Sequence, residues 1–126
     1  MLQRKLQAYE RLSLLMERIQ FPNVIKRCHD GNMTALQLIN MMKMDIQTEF
    51  EHNVTQQIYV SDQLWEIISL TKNDVFATLN DLSNDLEEYQ SDQVFVGALI
   101  DKLDQKKFNP IDKALLAIRK EVSSLS

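Results

Sequence analysis

The chain has 126 residues, 44% hydrophobic and 25% charged, with a net charge of −4 and a sequence pI near 5.1. That length and composition fit one globular core and argue against disorder, and the acidic balance argues against a nucleic-acid partner. Two Gly and two Pro are too few for the turns of an all-β fold, and one Cys excludes an intramolecular disulfide framework.

No apolar run reaches the ~18 residues of a membrane helix, and no secretory pattern opens the chain. The expected architecture is all-α, a single helical domain over residues 1–126. It is a compact bundle of about five or six helices, roughly four of them long.

In chain order, Leu2, Tyr9 and Met16 recur every seven residues beside Leu12 and Ile19, with Leu6 and Leu15 widening the stripe. This predicts an amphipathic helix that Pro22 stops. Asn23 to His29 suits a short helix, with Gly31 as the left-handed residue that ends it. Thr34 and Gln37 form a capping box for a third helix with the apolar face Leu38, Ile39, Met42, Ile46 and Phe50, reaching toward Val54 and Ile58. The β-branched stretch at Tyr59 and Val60 reads as its exit.

Ser61 is an N-cap, with Asp62 in the first turn where the helix dipole favours a negative charge. Ile68, Val75, Leu82 and Tyr89 then recur every seven residues, flanked by Leu64, Leu79 and Leu86. Helical to Gln90, this seam would span on the order of 40 Å. Ser91 caps a helix with Val94, Phe95, Leu99, Ile100 and Leu103 as its apolar residues. Asn109-Pro110 opens the last helix, with Ile111, Leu115, Ile118, Val122 and Leu125.

Charge is segregated. Residues 1–29 hold six bases against Glu10 and Glu17; residues 30–92 hold twelve acids against Lys43 and Lys72; residues 93–126 hold six bases and four acids. Such a pattern can pair head to tail between molecules, or lay Arg4, Lys5, Arg11 and Arg18 against an anionic membrane. Its plainest meaning is a solvated surface that neutralises within the fold.

Among motifs, Glu49 and His52 have the Glu-x-x-His spacing of di-metal carboxylate bundles. Such sites need two pairs and two further Glu, yet His29 has Lys26 at the matching position, so only a dimer could complete one. Packing roles for both residues are the simpler reading. Cys28, His29 and Asp30 are adjacent and fan out around a helix, so a half-buried thiol outranks a nucleophile or metal site.

Gly31 and Gly97 cannot make a phosphate loop, and no serine lies in a nucleophile-elbow setting. Asp81, Asp85, Glu87 and Glu88 read as a solvated helix face. Met16, Met33, Met41, Met42 and Met44 read as core filler before partner groove. His52, Asn53, Gln56, Gln57, Tyr59, Ser61 and Trp65 crowd the joint before the long seam, where a structural hydrogen-bond network is expected ahead of a small polar binding site.

The strings Leu6-Gln7-Ala8-Tyr9-Glu10-Arg11-Leu12 and Glu49-Phe50-Glu51-His52-Asn53-Val54-Thr55-Gln56-Gln57-Ile58-Tyr59-Val60-Ser61, with Trp65, resemble an uncharacterised bacterial family of small, mostly helical proteins. Members often begin with one membrane-spanning segment and a basic stretch. The resemblance therefore implies a soluble relative or a chain whose anchor precedes Met1. In the second case the basic residues 1–29 favour the cytoplasmic side. It implies no activity, cofactor or site residue.

These readings lead to a non-enzymatic interaction or assembly module, self-associating as a homodimer or docking a protein partner, in the cytoplasm or at the inner membrane face. No catalytic, cofactor-binding or metal residue is assigned. The alternative is a metal-dependent enzyme built at a dimer interface from Glu49, His52 and nearby carboxylates.

Overall fold

The computed structural model describes residues 1–85, 91–105 and 109–125. Among them are six α-helices: α1 Leu2–Arg18, α2 Phe21–Cys28, α3 Ala35–Glu51, α4 Asp62–Asp85, α5 Asp92–Gln105 and α6 Pro110–Ser123. A 3-10 helix, Val54–Tyr59, links α3 to α4. The fold is all-α. With α4 at 24 residues, α1 and α3 at 17 each, and α5 and α6 at 14 each, five of the described helices are long, one more than the sequence reading expected.

The ends of the helices follow local chemistry. Thr34 accepts the Gln37 amide at 3.1 Å while the Gln37 side chain accepts the Thr34 amide at 3.0 Å, closing the capping box. Ser61 Oγ accepts Leu64 N–H, Ser91 Oγ accepts Val94 N–H and Asn109 Oδ1 accepts Ile111 N–H, so all three expected caps form. Each satisfies an amide that the helix itself leaves open.

Two ends differ from the sequence reading. Pro22 does not stop α1, which ends at Arg18; it lies in the first turn of α2, where a missing N–H breaks no helical bond. The α1 carbonyls are closed from α2 instead, Asn23 Nδ2 donating to Glu17 O and Arg27 Nη2 to Arg18 O, both at 2.7 Å. Gly31 is left-handed at φ 87°, but α2 has already ended at Cys28 with His29 extended. Gly31 belongs instead to the following turn, in which Asp30 accepts the Asn32 amide.

Helix α6 packs against α1 and α4, while α3 packs against α2, α4 and α5. One core cluster draws on all six helices, with Leu12, Met16, Leu38, Met42, Ile68, Leu79, Phe95 and Ile118 among its buried members. Within α4 the seam Leu64, Ile68, Val75, Leu79, Leu82 is buried against the same chain. Leu86 and Tyr89 lie outside the described residues.

The α1 stripe is shorter than expected. Leu2 and Leu6 are exposed, since the core covers α1 only from Ala8 to Met16. Ile58 is exposed too, because the 3-10 turn breaks the α3 periodicity before it. Leu125 is exposed beyond the end of α6, and Val94 and Ile100 lie on the outer side of α5.

Candidate functional site

The crowded joint before α4 is built around a residue the sequence did not single out. Glu121, on α6, accepts Tyr9 OH from α1 at 2.9 Å and Ser61 N–H at 3.1 Å, and Ser61 Oγ donates to its other oxygen. One carboxylate thus ties α1, the start of α4 and α6 together. Burial alone would raise the Glu121 pKa, but the Ser61 and Tyr9 hydrogen bonds and the nearby Lys5 charge outweigh it and hold the group below its ordinary range. Burial, then the Glu121 hydrogen bond and charge, push the Tyr9 hydroxyl up to about 12.

The polar residues expected to form a network bond mainly to nearby backbone. Asn53 Nδ2 donates to Glu49 O, capping the end of α3, and Gln57 Nε2 donates to Val54 O. Gln56 Nε2 donates to Thr55 Oγ1 at 3.4 Å. Trp65 stacks on Phe50 at 5.4 Å between ring centroids, and the Lys72 ammonium lies 4.6 Å from the Phe50 ring centre.

Arginines at heptad spacing on α1 supply the longer connections. Arg4 donates to Tyr59 OH at 3.4 Å, Arg11 to His52 O at 2.7 Å and Arg18 to Glu49 Oε1 at 2.6 Å. Arg27 on α2 grips both Asp45 oxygens, at 2.6 and 3.1 Å. Basic residues near the start of the chain therefore face the acidic helix that follows them, and part of the segregated charge is paired within the fold.

This geometry separates Glu49 from His52. Glu49 turns to Arg18, whereas the His52 side chain is exposed and the residue is held through its backbone, its carbonyl accepting from Arg11. Among the described residues no three His, Cys, Asp or Glu side chains are grouped to hold a metal ion. The Glu49–Arg18 pair is only partly buried, so Glu49→Ala is expected to cost under about 1 kcal/mol in urea unfolding. A loss of several kcal/mol would mean that Glu49 has a larger role than this pair.

Cys28 is buried, and burial first, then the Asp45 charge, pushes its thiol pKa up, with Arg27 opposing. That keeps the sulfur a poor nucleophile. His29 turns its ring to α5: Nε2 lies 2.8 Å from Oδ2 of Asp92, a residue only 2% exposed. Both atoms are buried, and the contact is an ion pair only with the imidazole protonated. It fastens the turn before α3 to the start of α5, alongside the Asp92 N–H to Met33 O bond.

The clustered acids and methionines divide. Asp81 faces Lys102 at 3.8 Å, while the Asp85 side chain, Glu87 and Glu88 lie outside what the structure describes. Met16 and Met42 are core, Met33 packs against it, and Met41 and Met44 are exposed.

A further surface feature runs between α4 and α6. Two open depressions, of about 460 and 580 Å³, adjoin there and share Ile67 and Lys113. Their apolar lining includes Leu64, Ile67, Leu70, Leu116 and Ala117, with Lys113 and Lys120 along the α6 edge. Leu70 is 58% and Leu116 49% exposed, so large side chains here remain in water. Glu121 forms part of one wall, which links the groove to the polar junction. Periodicity showed the α4 residues but not the groove, because a groove needs the neighbouring helix.

Among the described residues no helix is long and apolar enough to cross a membrane. Residues 1–125 match a family whose description is "Family of unknown function (DUF7935)". No curated protein and no solved structure matches the chain.

Proposed function

We propose, for a chain that belongs to this family of unknown function, the role of a non-enzymatic helical interaction module that holds another helix along the α4–α6 groove. The observation that carries the reading is the groove itself: half-exposed leucines from two helices beside a junction that fixes those helices relative to α1. An amphipathic helix with anchors three and four residues apart is the shape that fits such a surface. A protein partner suits the chain better than an anionic membrane, since Arg4, Arg11 and Arg18 are engaged internally. The lone buried cysteine supports a reducing, cytoplasmic setting.

The test is fluorescence anisotropy with a labelled amphipathic helical peptide of about 14 residues, carrying leucines at helical spacing to span the groove. Saturable binding is expected, weakened at least tenfold by Leu70→Ser with Leu116→Ser. Both positions are about half exposed, so the fold should survive the pair. Absent binding, or binding indifferent to the two substitutions, would overturn the assignment.

A further inference from the structure

We propose that the cavity where α2, α4, α5 and α6 meet is a binding site for a small neutral aromatic molecule with one hydrogen-bonding group, a phenol being the simplest member of that class. The cavity has a volume of about 160 Å³. Its inner wall is Phe21 at the start of α2, Val75 and Thr78 on α4, and Ile111 at the start of α6, all four of them buried. Leu103 of α5 adds a further apolar side chain.

The space has a local origin in the sequence. Along the α4 seam Ile68, Val75 and Leu82 recur every seven residues, and Val75 is the shortest of the three. Thr78, one turn further on, is no longer than Val75, so α4 presents two short side chains together. Pro22 and Pro110 stand in the first turns of α2 and α6, and their rigid rings edge the opening.

Volume and lining together select the ligand. An apolar cavity of roughly 150 Å³ takes a benzene-sized ring, and it is too poor in polar partners to hold water well. The one polar side chain of the inner wall, Thr78, donates its hydroxyl to Asp74 O at 3.1 Å. Other polar groups gather at the rim. Asn109 Oδ1 is spent on the Ile111 amide, which leaves Nδ2 to donate. Gln20 Nε2 donates to Glu17, which leaves Oε1 to accept. A hydroxyl group can answer both. A charged ligand fits less well. No Lys, Arg or His is among the described lining residues, so an anion would lose water without meeting a counter-charge. Asp74 already has an interaction within the chain, so a cation would have to compete for it.

An NMR titration of the full chain with phenol tests this. Saturable shifts are expected at the amides of Phe21, Val75, Leu103 and Ile111, which line the cavity and not the α4–α6 groove. Benzoate, a similar ring carrying a carboxylate, should bind at least tenfold more weakly. Phenol at ten times its Kd should raise the thermal midpoint by about 5 °C. Val75→Phe puts the protein's own ring into the space, so it should weaken phenol at least tenfold with the midpoint of the free protein unchanged or higher. Ile111→Phe repeats the test from α6.

Absence of saturable binding to the wild type overturns the inference. Shifts centred on Leu70, Leu116 and Ala117 would put the ring in the groove and overturn it as well. Benzoate binding as tight as phenol overturns the neutral class of ligand. Phenol binding that survives both ring-filling substitutions places the site elsewhere.

Discussion

Glu121→Ala is expected to lower the free energy of unfolding by about 2–3 kcal/mol at neutral pH, roughly 8–12 °C in thermal midpoint. The substitution removes the acceptor of three donors, the Ser61 amide and hydroxyl at an exposed position and the Tyr9 hydroxyl on a buried residue, which is the costly one. A stranded buried donor loses water without gaining a partner, which is why the effect exceeds that of an ordinary surface carboxylate. Glu121→Gln keeps an acceptor oxygen and should lose about half as much.

The pH dependence has a definite sign. The folded-state pKa of Glu121 is depressed below the ordinary 4.5, so its contribution is complete above that value and disappears as pH falls through the folded pKa. Urea unfolding should therefore show wild type and Glu121→Ala converging in acid. For Tyr9 the raised pKa favours the neutral phenol in the fold, so its contribution is complete below pH 10.0 and lost as pH rises toward 12. Tyr9→Phe should remove that alkaline limb. A difference between wild type and Glu121→Ala that is constant from acid to neutral pH would show that the carboxylate charge does not matter.

Features that depend on neighbours in sequence were legible, and those that depend on neighbours in space were not. Thr34 with Gln37, Ser61, Ser91 and Asn109-Pro110 cap within three residues of themselves, so the sequence carries both partners. The α4 seam was also readable, because its buried side recurs with the helix. Its closure within the chain was not, since the same period suits an intermolecular coiled coil. Glu121 carried no local signal: its partners Tyr9 and Ser61 are distant in the chain, and its spacing resembles a solvated helix face. His29 and Asp92 were hidden for the same reason. In α5 the apolar residues are too dense to reveal which face turns inward; only packing against α3 separates Phe95 and Leu99 from Val94 and Ile100.

The second large effect concerns the hold of α5 on the bundle. Phe95 is fully buried, and Phe95→Ala is expected to cost about 3–5 kcal/mol through lost transfer energy and the cavity left behind. That loss should be concentrated in α5, whose main packing is with α3 and whose start is fastened by Asp92 to His29 and Met33. Native-state hydrogen exchange separates local from global loosening. The α5 amides are expected to exchange a hundredfold or more faster, with a smaller change in α1 and α6, which are joined to each other and through Glu121. Equal acceleration everywhere would show that α5 opens only when the whole bundle unfolds. Phe95→Ala should leave peptide binding in the α4–α6 groove intact, since α4 and α6 pack directly on each other. Loss of that binding would mean that the groove, too, depends on the α5 anchor.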